Sequence, residues 1–432
     1  MARNQSESLS TSQTTVPTWP ALATPTETTP RHDHREGLPP AARLVLRSLS
    51  NIEGSLRMHF PDGSMMDFGN AATDSAAEIT VHRWRFFRRV LAAGDVGAGE
   101  SYVDGDWSSN DLVALSRLFL ANEKRIEASP IVGIFGRWRD LLLHRGRDNT
   151  RRQARRNISA HYDLSNSLYA TFLDDSMTYS AGIFDSPEVS LAHAQRTKNL
   201  RMARLAGLVP GSHVLEIGCG WGSFAEIAAT ELGCRVTGIT LSEEQARFAR
   251  ERMRRAGVDD VVEIRVIDYR DLSGTFDAIV SIEMLEAVGH RHLGDYFAAC
   301  NRHLAAGGRA AIQTITIPDQ IYDRYRRGTD WIRKHIFPGG HLPSLGAIQS
   351  AVARTTPFVI SRAEDIGPHY ATTLRRWRLR FEQQVDAVRA LGFDGRFTRM
   401  WGFYLASCEA AFAHRRIGNL QLVLQRTGDS EI

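Results

Sequence analysis

The sequence predicts an α/β protein, a doubly wound, Rossmann-like parallel sheet preceded by a smaller α+β domain. Three observations carry this. From about residue 205 short apolar strands alternate with amphipathic helices, the pattern of βα units laid side by side. A glycine-rich turn, Gly218-Cys219-Gly220-Trp221-Gly222, falls between the first strand and the first helix of that series. Ahead of it, residues 54–68 alternate with period two around Pro61-Asp62-Gly63, the signature of a hairpin.

Taken in order, residues 1–38 are rich in Ser, Thr and Pro with few large apolar side chains, and are expected to be a disordered tail. Ala41–Leu49 has the apolar spacing of a short helix, Leu56, Met58 and Phe60 point to one face of the hairpin, and Ile79-Thr80-Val81 reads as a third strand. Helical faces recur over Arg83–Leu91 and Leu112–Leu120, which bounds a small domain at 39–128. Between 129 and 156, apolar Ile131, Ile134, Phe135 and Trp138 lie among Arg137, Arg139, Arg145, Arg151 and Arg155. That pattern suits an interfacial helix or a linker helix that solvates its charges. Strands then follow at 214–217, 235–240, 262–267, 276–282 and 310–317, with helices at 224–232 and 243–256, in a domain spanning 157–432.

Composition narrows the function. Hydrophobic residues make up 43% and charged residues 24%, enough apolar surface for a substantial core. The net charge of +4 is carried almost wholly by arginine, since Lys124, Lys198 and Lys334 are the only lysines. Arginine's flat fork of donors suits phosphate, and no nucleic-acid module accompanies it, so nucleic acid is not an expected partner. Cys219, Cys234, Cys300 and Cys408 stand far apart without a CxxC pair, which points to a reducing compartment and no structural metal. No run reaches the ~20 apolar residues of a membrane span, and the expectation is a cytoplasmic protein, peripheral at the inner membrane face.

The glycine turn is spaced GxGxG rather than GxGxxG, and the second strand ends in Thr240-Leu241-Ser242, with Gln245 one turn on, instead of the acid that binds a nicotinamide cofactor's ribose. Glu216 precedes the turn, where it can face the cationic end of a methionine, and Asp268-Tyr269 ends the third strand, placed to cover an adenine. These features point to S-adenosylmethionine.

The chain resembles the cyclopropane fatty acid synthase and mycolic acid cyclopropane synthase family over roughly 155–426. The resemblance rests on His161-Tyr162-Asp163-Leu164-Ser165-Asn166, Met177-Thr178-Tyr179-Ser180, VLEIGCGWG, Thr240 to Gln245, Asp268-Tyr269-Arg270-Asp271, IVSIEMLEAVG, Ile336 to Gly340 and Tyr370 to Leu374. It implies a class I methyltransferase fold and methyl or methylene transfer to the double bonds of phospholipid acyl chains. It further implies cofactor contacts from Tyr179, Ser180, Glu216, Gly218, Cys219, Gly220, Gly222, Thr240, Leu241, Ser242, Gln245, Asp268 and Tyr269.

The family pattern also implies a bicarbonate base held by a glutamate, a tyrosine, a cysteine, a histidine and a backbone amide. Carried over, these are Glu286, Tyr370 and the amide of Ile315, while the cysteine position is Ala181 and the histidine position Gln313. Gln313 still donates a hydrogen bond and Ala181's side chain does not. Two outcomes stay open: ring closure at a rearranged anion site, or loss of a different proton to give a methylene branch, from which a methyl branch would need a separate reductase. Cys408 matches a cysteine sometimes regarded as catalytic, but its helical spacing to Tyr404 and Phe412 predicts a core position. Glu283 is a weaker candidate for cofactor or anion contact. Residues 318–345, rich in aromatics and arginine, are expected to form a lid with a basic rim. Small-molecule amine methylation, a lipid-binding protein without turnover, and a homodimer are left open.

Overall fold

The computed structural model describes residues 37–69, 77–127, 165–426 and 428. The basic stretch at 129–156, the motif residues His161 to Leu164 and nearly all of the expected tail lie outside the described residues. From Pro39 onward the described residues belong to one compact unit built on two sheets.

The smaller sheet grows from the hairpin. Helix α1 (Pro40–Ser48) begins with a proline, whose fixed φ suits a first helical turn. Strands β1 (Ser55–His59) and β2 (Met65–Gly69) pair antiparallel, and β3 (Ala77–Val81) joins β1 in parallel. Leu56 and Met58 of β1 are buried, as their alternation requires. Helix α2 (Arg85–Val103) runs well past the predicted end at Leu91, kinking at Gly94, whose φ of 54° breaks the helical path. The short β4 (Trp107–Ser108) closes the sheet in the order β2-β1-β3-β4, and α3 (Leu112–Ala121) is capped by Asp111, which accepts from the amides of Val113 and Ala114.

The larger unit starts with α4 (Leu191–Leu205) and then alternates: β5 (His213–Ile217), α5 (Ser223–Thr230), β6 (Arg235–Thr240), α6 (Glu243–Ala256), β7 (Val262–Val266), β8 (Phe276–Ile282), α7 (Leu293–His303) and β9 (Leu304–Thr316). After it come α8 (Asp319–Tyr325), α9 (Trp331–His335), α10 (Leu345–Thr355), β10 (Phe358–Asp365), α11 (Gly367–Gln383), α12 (Gly395–Ala413) and β11 (Gly418–Arg426). The sheet order is β10-β11-β9-β8-β5-β6-β7.

Strands β9, β8, β5, β6 and β7 are parallel, as predicted. The sheet is nevertheless mixed, since β11 runs antiparallel to both β9 and β10; neither β10 nor β11 is among the strands predicted from the sequence. Gln421 of β11 stands opposite Gln313 of β9, and its side-chain amide donates to the Gln313 side-chain carbonyl at 2.9 Å, which ties two fully buried glutamines across the ladder. Chain order reverses direction between β5 and β8, which leaves the crevice at their carboxyl ends open to a ligand.

Residues 318–345 join the two sheets. Asp95 of α2 accepts from the Trp331 amide at 3.3 Å, and Glu100 pairs with Lys334 and, at 3.1 Å, with His335. Arg324 reaches Glu123 at 3.3 Å, Arg326 reaches Asp323 at 2.7 Å and Arg333 reaches Asp330 at 2.8 Å. Arg324, Arg326, Arg333 and Lys334, four cations of the expected basic rim, are therefore engaged by neighbouring acids.

Gly99 lets α2 approach this far, since a Cβ there would stand 2.4 Å from the Trp331 ring. Gly99→Leu is expected to destabilise the protein by about 1–3 kcal/mol through overpacking. Urea denaturation would register this as a lower midpoint, and an unchanged midpoint would mean that α9 yields freely.

Candidate active site

A cavity opens at the carboxyl ends of β5, β6, β7 and β8. Of the expected cofactor residues, Tyr179, Ser180, Glu216, Gly218, Cys219, Gly220, Thr240, Leu241, Gln245, Asp268 and Tyr269 line it. Gly218 has a φ of +84°, and a Cβ there would meet the Met284 side chain at 2.8 Å, so the turn tolerates only glycine at this point. Gly222 and Ser242 stand behind the wall. Gly222 ends the turn ahead of α5, and the Ser242 hydroxyl caps α6 by accepting from the Gln245 amide at 3.2 Å.

Thr240 donates to the Gln245 side-chain carbonyl at 2.9 Å, which fixes both at the strand tip. Asp268 grips the Arg270 guanidinium through two bonds of 2.8 and 2.7 Å, and Tyr269 lies edge-on to Tyr296. Sequence reasoning missed Lys198, Asn199, Trp221, Ser223 and Met284, which also line the cavity. A lone lysine in an arginine-rich stretch was the one signal for Lys198.

The lining suits an ammonium-bearing ligand. Glu216 is buried, one of its oxygens (Oε2) has no hydrogen-bond partner, and the Asn199 side-chain oxygen is likewise buried without a donor. Burial pushes the Glu216 carboxyl up to about 8, against the pull of nearby Lys198. Unpaired buried acceptors are costly unless a donor arrives from a ligand, and a cationic amino group is such a donor.

Beside this end of the cavity stands a second constellation, centred on Glu283. Its Oε1 accepts from the Ala181 amide at 3.0 Å, the Gln313 side chain at 2.9 Å and the Asn419 side chain at 2.6 Å. Its Oε2 accepts from the Tyr370 hydroxyl at 2.7 Å. Every bond is one that Glu283 accepts, the pattern of an ionised carboxylate, and Oε2 keeps lone-pair capacity. The residue adopts a left-handed φ of 51°, a strained setting for a side chain of this size, held by a 2.7 Å bond from its own amide to the Gln313 carbonyl.

Position 181, position 313 and Tyr370 are three of the places that the family pattern gives to a bicarbonate anion. Here they converge on a carboxylate belonging to the chain. The fourth expected donor, the Ile315 amide, bonds to Glu286 instead, which also accepts from the Thr314 hydroxyl at 3.0 Å. Glu286 and Tyr370 therefore do not meet; Tyr370 belongs to Glu283. Cys408 packs among the aromatic side chains of α11 and α12, where burial pushes its thiol up to about 12, far from an ionised nucleophile.

Burial, reinforced by the neighbouring Glu283 charge, pushes Glu286 from 4.5 up to about 8. Between those values the folded state holds a proton that the unfolded state has released, so this group's contribution to stability falls as pH rises. Glu286→Gln has no such proton to lose. Its stability relative to the unsubstituted protein is expected to improve by roughly 1–3 kcal/mol between pH 6 and pH 8, read by urea denaturation. Parallel stability curves for the two proteins would show that Glu286 is not held protonated.

Comparison with known proteins fits this geometry. The model of the mycolic acid cyclopropane synthetase family matches residues 149–422. The tuberculostearic acid methyltransferase of Mycobacterium tuberculosis is 41% identical over 400 residues, covering 90% of this chain and 91% of its own. The cyclopropane-fatty-acyl-phospholipid synthase of Escherichia coli is 36% identical over 368 residues, covering 83% and 90%. A mycolic acid cyclopropane synthase solved with SAH and CTAB superposes with a TM-score of 0.59 at 30% identity, over 63% of this chain and 98% of that one. The chain belongs to the mycolic acid cyclopropane synthetase family and is an S-adenosylmethionine-dependent methyltransferase.

Proposed function

We propose that this protein methylates a carbon–carbon double bond in the acyl chain of an unsaturated phospholipid, with Glu283 as the general base, and that the product carries a methylene branch. The observation behind this reading is the Glu283 carboxylate itself, held by donors on both oxygens and lining the cofactor cavity. When bound, S-adenosylmethionine supplies an electrophilic methyl group on a sulfonium.

An alkene is a poor nucleophile and leaves a carbocation when it takes a methyl group, so it needs a dry site that tolerates positive charge. Tyr179, in the cavity wall, stacks on Trp377 with centroids 5.2 Å apart and meets the Tyr404 hydroxyl at 2.7 Å, inside a cluster holding Tyr169, Phe172 and Trp401. These rings exclude water, and their faces stabilise a nearby cation. Glu283 Oε2 then takes a proton from the new methyl group, with Tyr370 steadying the carboxyl that forms.

The product depends on where the positive charge sits at that moment. If a hydride has moved from the methylated carbon to its cationic neighbour, proton loss leaves a methylene group; without the shift, the same loss closes a cyclopropane. The methylene reading is supported by the relative whose name denotes a methyl-branched acid and which aligns along 90% of this chain. Ring closure is the second reading, favoured by the 36% identity to a cyclopropane-fatty-acyl-phospholipid synthase. A saturated methyl branch requires a separate reductase. Among the described residues no helix is long and apolar enough to cross a membrane, and the proposal is of a peripheral enzyme on the cytoplasmic face.

Proton NMR of lipids from an expressing strain tests the product, with vinyl signals expected and upfield ring signals favouring the second reading. Absence of both, together with cofactor consumption driven by small amines, would overturn the lipid reading. Glu283→Gln is expected to lower turnover by about 10²–10⁴-fold while retaining cofactor affinity, and turnover of the unsubstituted enzyme should not respond to added bicarbonate. Cys408→Ser is expected to keep its turnover; loss of activity in a folded variant would return Cys408 to the chemistry.

A further inference from the structure

Among the described residues Lys198 is a buried cation that the chemistry above does not use. It lies on α4 with 1% of its surface exposed and lines the cofactor cavity. Its ammonium donates to the Ser180 hydroxyl at 3.0 Å. Glu216, Glu283 and Asp174 act on it only through their longer-range charge. Two of its three N–H donors are therefore unmatched in a place where water is scarce. Burial lowers its affinity for a proton to about 8, against the pull of the three acids.

The cavity thus presents an unmatched cationic donor at Lys198, and unmatched acceptors at Glu216 Oε2 and Asn199 Oδ1. A zwitterionic amino-acid group offers the complementary pair of charges. Resting on S-adenosylmethionine as the cofactor, we infer that Lys198, with the Ser180 hydroxyl, binds the carboxylate of its methionine moiety, while Glu216 and Asn199 take the ammonium. The lysine is then a binding residue that sets the cofactor's position along the cavity and so the distance of its methyl group from Glu283.

Ligands that carry the two charges separately test this by calorimetry. S-adenosylhomocysteine has both, its decarboxylated analogue has only the ammonium, and 5′-methylthioadenosine has neither. Lys198→Met is expected to weaken S-adenosylhomocysteine by about ten- to a hundredfold, the range for a charge-assisted bond. It should leave methylthioadenosine within about threefold and abolish the preference for S-adenosylhomocysteine over its decarboxylated analogue. Retained methylthioadenosine binding also shows that the variant is folded. If that preference survives in Lys198→Met, or if all three ligands weaken equally, the lysine serves only to balance the buried acids and the assignment fails. No affinity for S-adenosylhomocysteine in the unsubstituted protein would instead remove the cofactor reading on which the assignment stands.

Discussion

A carboxylate stays ionised inside a protein only when the fold delivers donors to it, and at Glu283 they arrive from four distant parts of the chain. Gln313 comes from β9, Asn419 from β11, Tyr370 from α11 and the Ala181 amide from the loop before α4. Each delivery has its own support. The loop is pinned by the Gly182 amide on the Thr373 hydroxyl at 3.1 Å and by the Gln195 side chain on the Ser180 carbonyl at 2.7 Å. Asn419 reaches the site only because β11 inserts between β9 and β10. The antiparallel strand that makes the sheet mixed is thus also what completes the base.

Three neighbouring glutamates, two of them lining the cavity, are supplied with very different partners. Glu283 has four donors. Glu286, three residues on, has two donors on one oxygen and none on the other, and the charge of Glu283 is close enough to discourage a second ionisation. Glu216 has a bare oxygen, with the Ala225 backbone amide and the longer-range attraction of Lys198 as its support. A cationic ligand favours the ionised form of Glu216 and makes no comparable demand on Glu286, which accepts from the Ile315 amide and the Thr314 hydroxyl of β9. Two of these acids therefore face the cavity and one is bound to the sheet.

Much of this was legible in the sequence, and what was not has a physical cause. The hairpin, the five parallel strands and the cofactor turn announce themselves through period-two alternation, apolar runs and glycine spacing, all of which are local. Strand β11 carries Asn419 and Gln421, polar residues that look solvated until their partners Glu283 and Gln313 are brought alongside. Glu283 was underrated for the same reason. The family pattern directs attention to Glu286, and nothing local reveals that Ala181 and Gln313 bracket the other acid. Helix α2 outran its predicted end because Gly94 disrupts the apolar spacing exactly where tertiary contacts with α9 and α12 carry the helix onward. Arginines 324, 326 and 333 read as a free basic face only while their acids remain unseen.

The identity of the cation in the cavity follows from the same constraint. Nearly every positive charge in this chain is arginine, yet the buried position beside Ser180 is lysine. A guanidinium spreads five donors over a rigid plane and cannot give up its proton, so burial there would strand most of them. An ammonium is a compact charge that leaves one donor for Ser180 and two for a ligand, and its hold on the proton relaxes when the cavity is empty. A residue that must tolerate a dry pocket without its ligand, and still present a full charge when the ligand comes, is better made from lysine than from arginine.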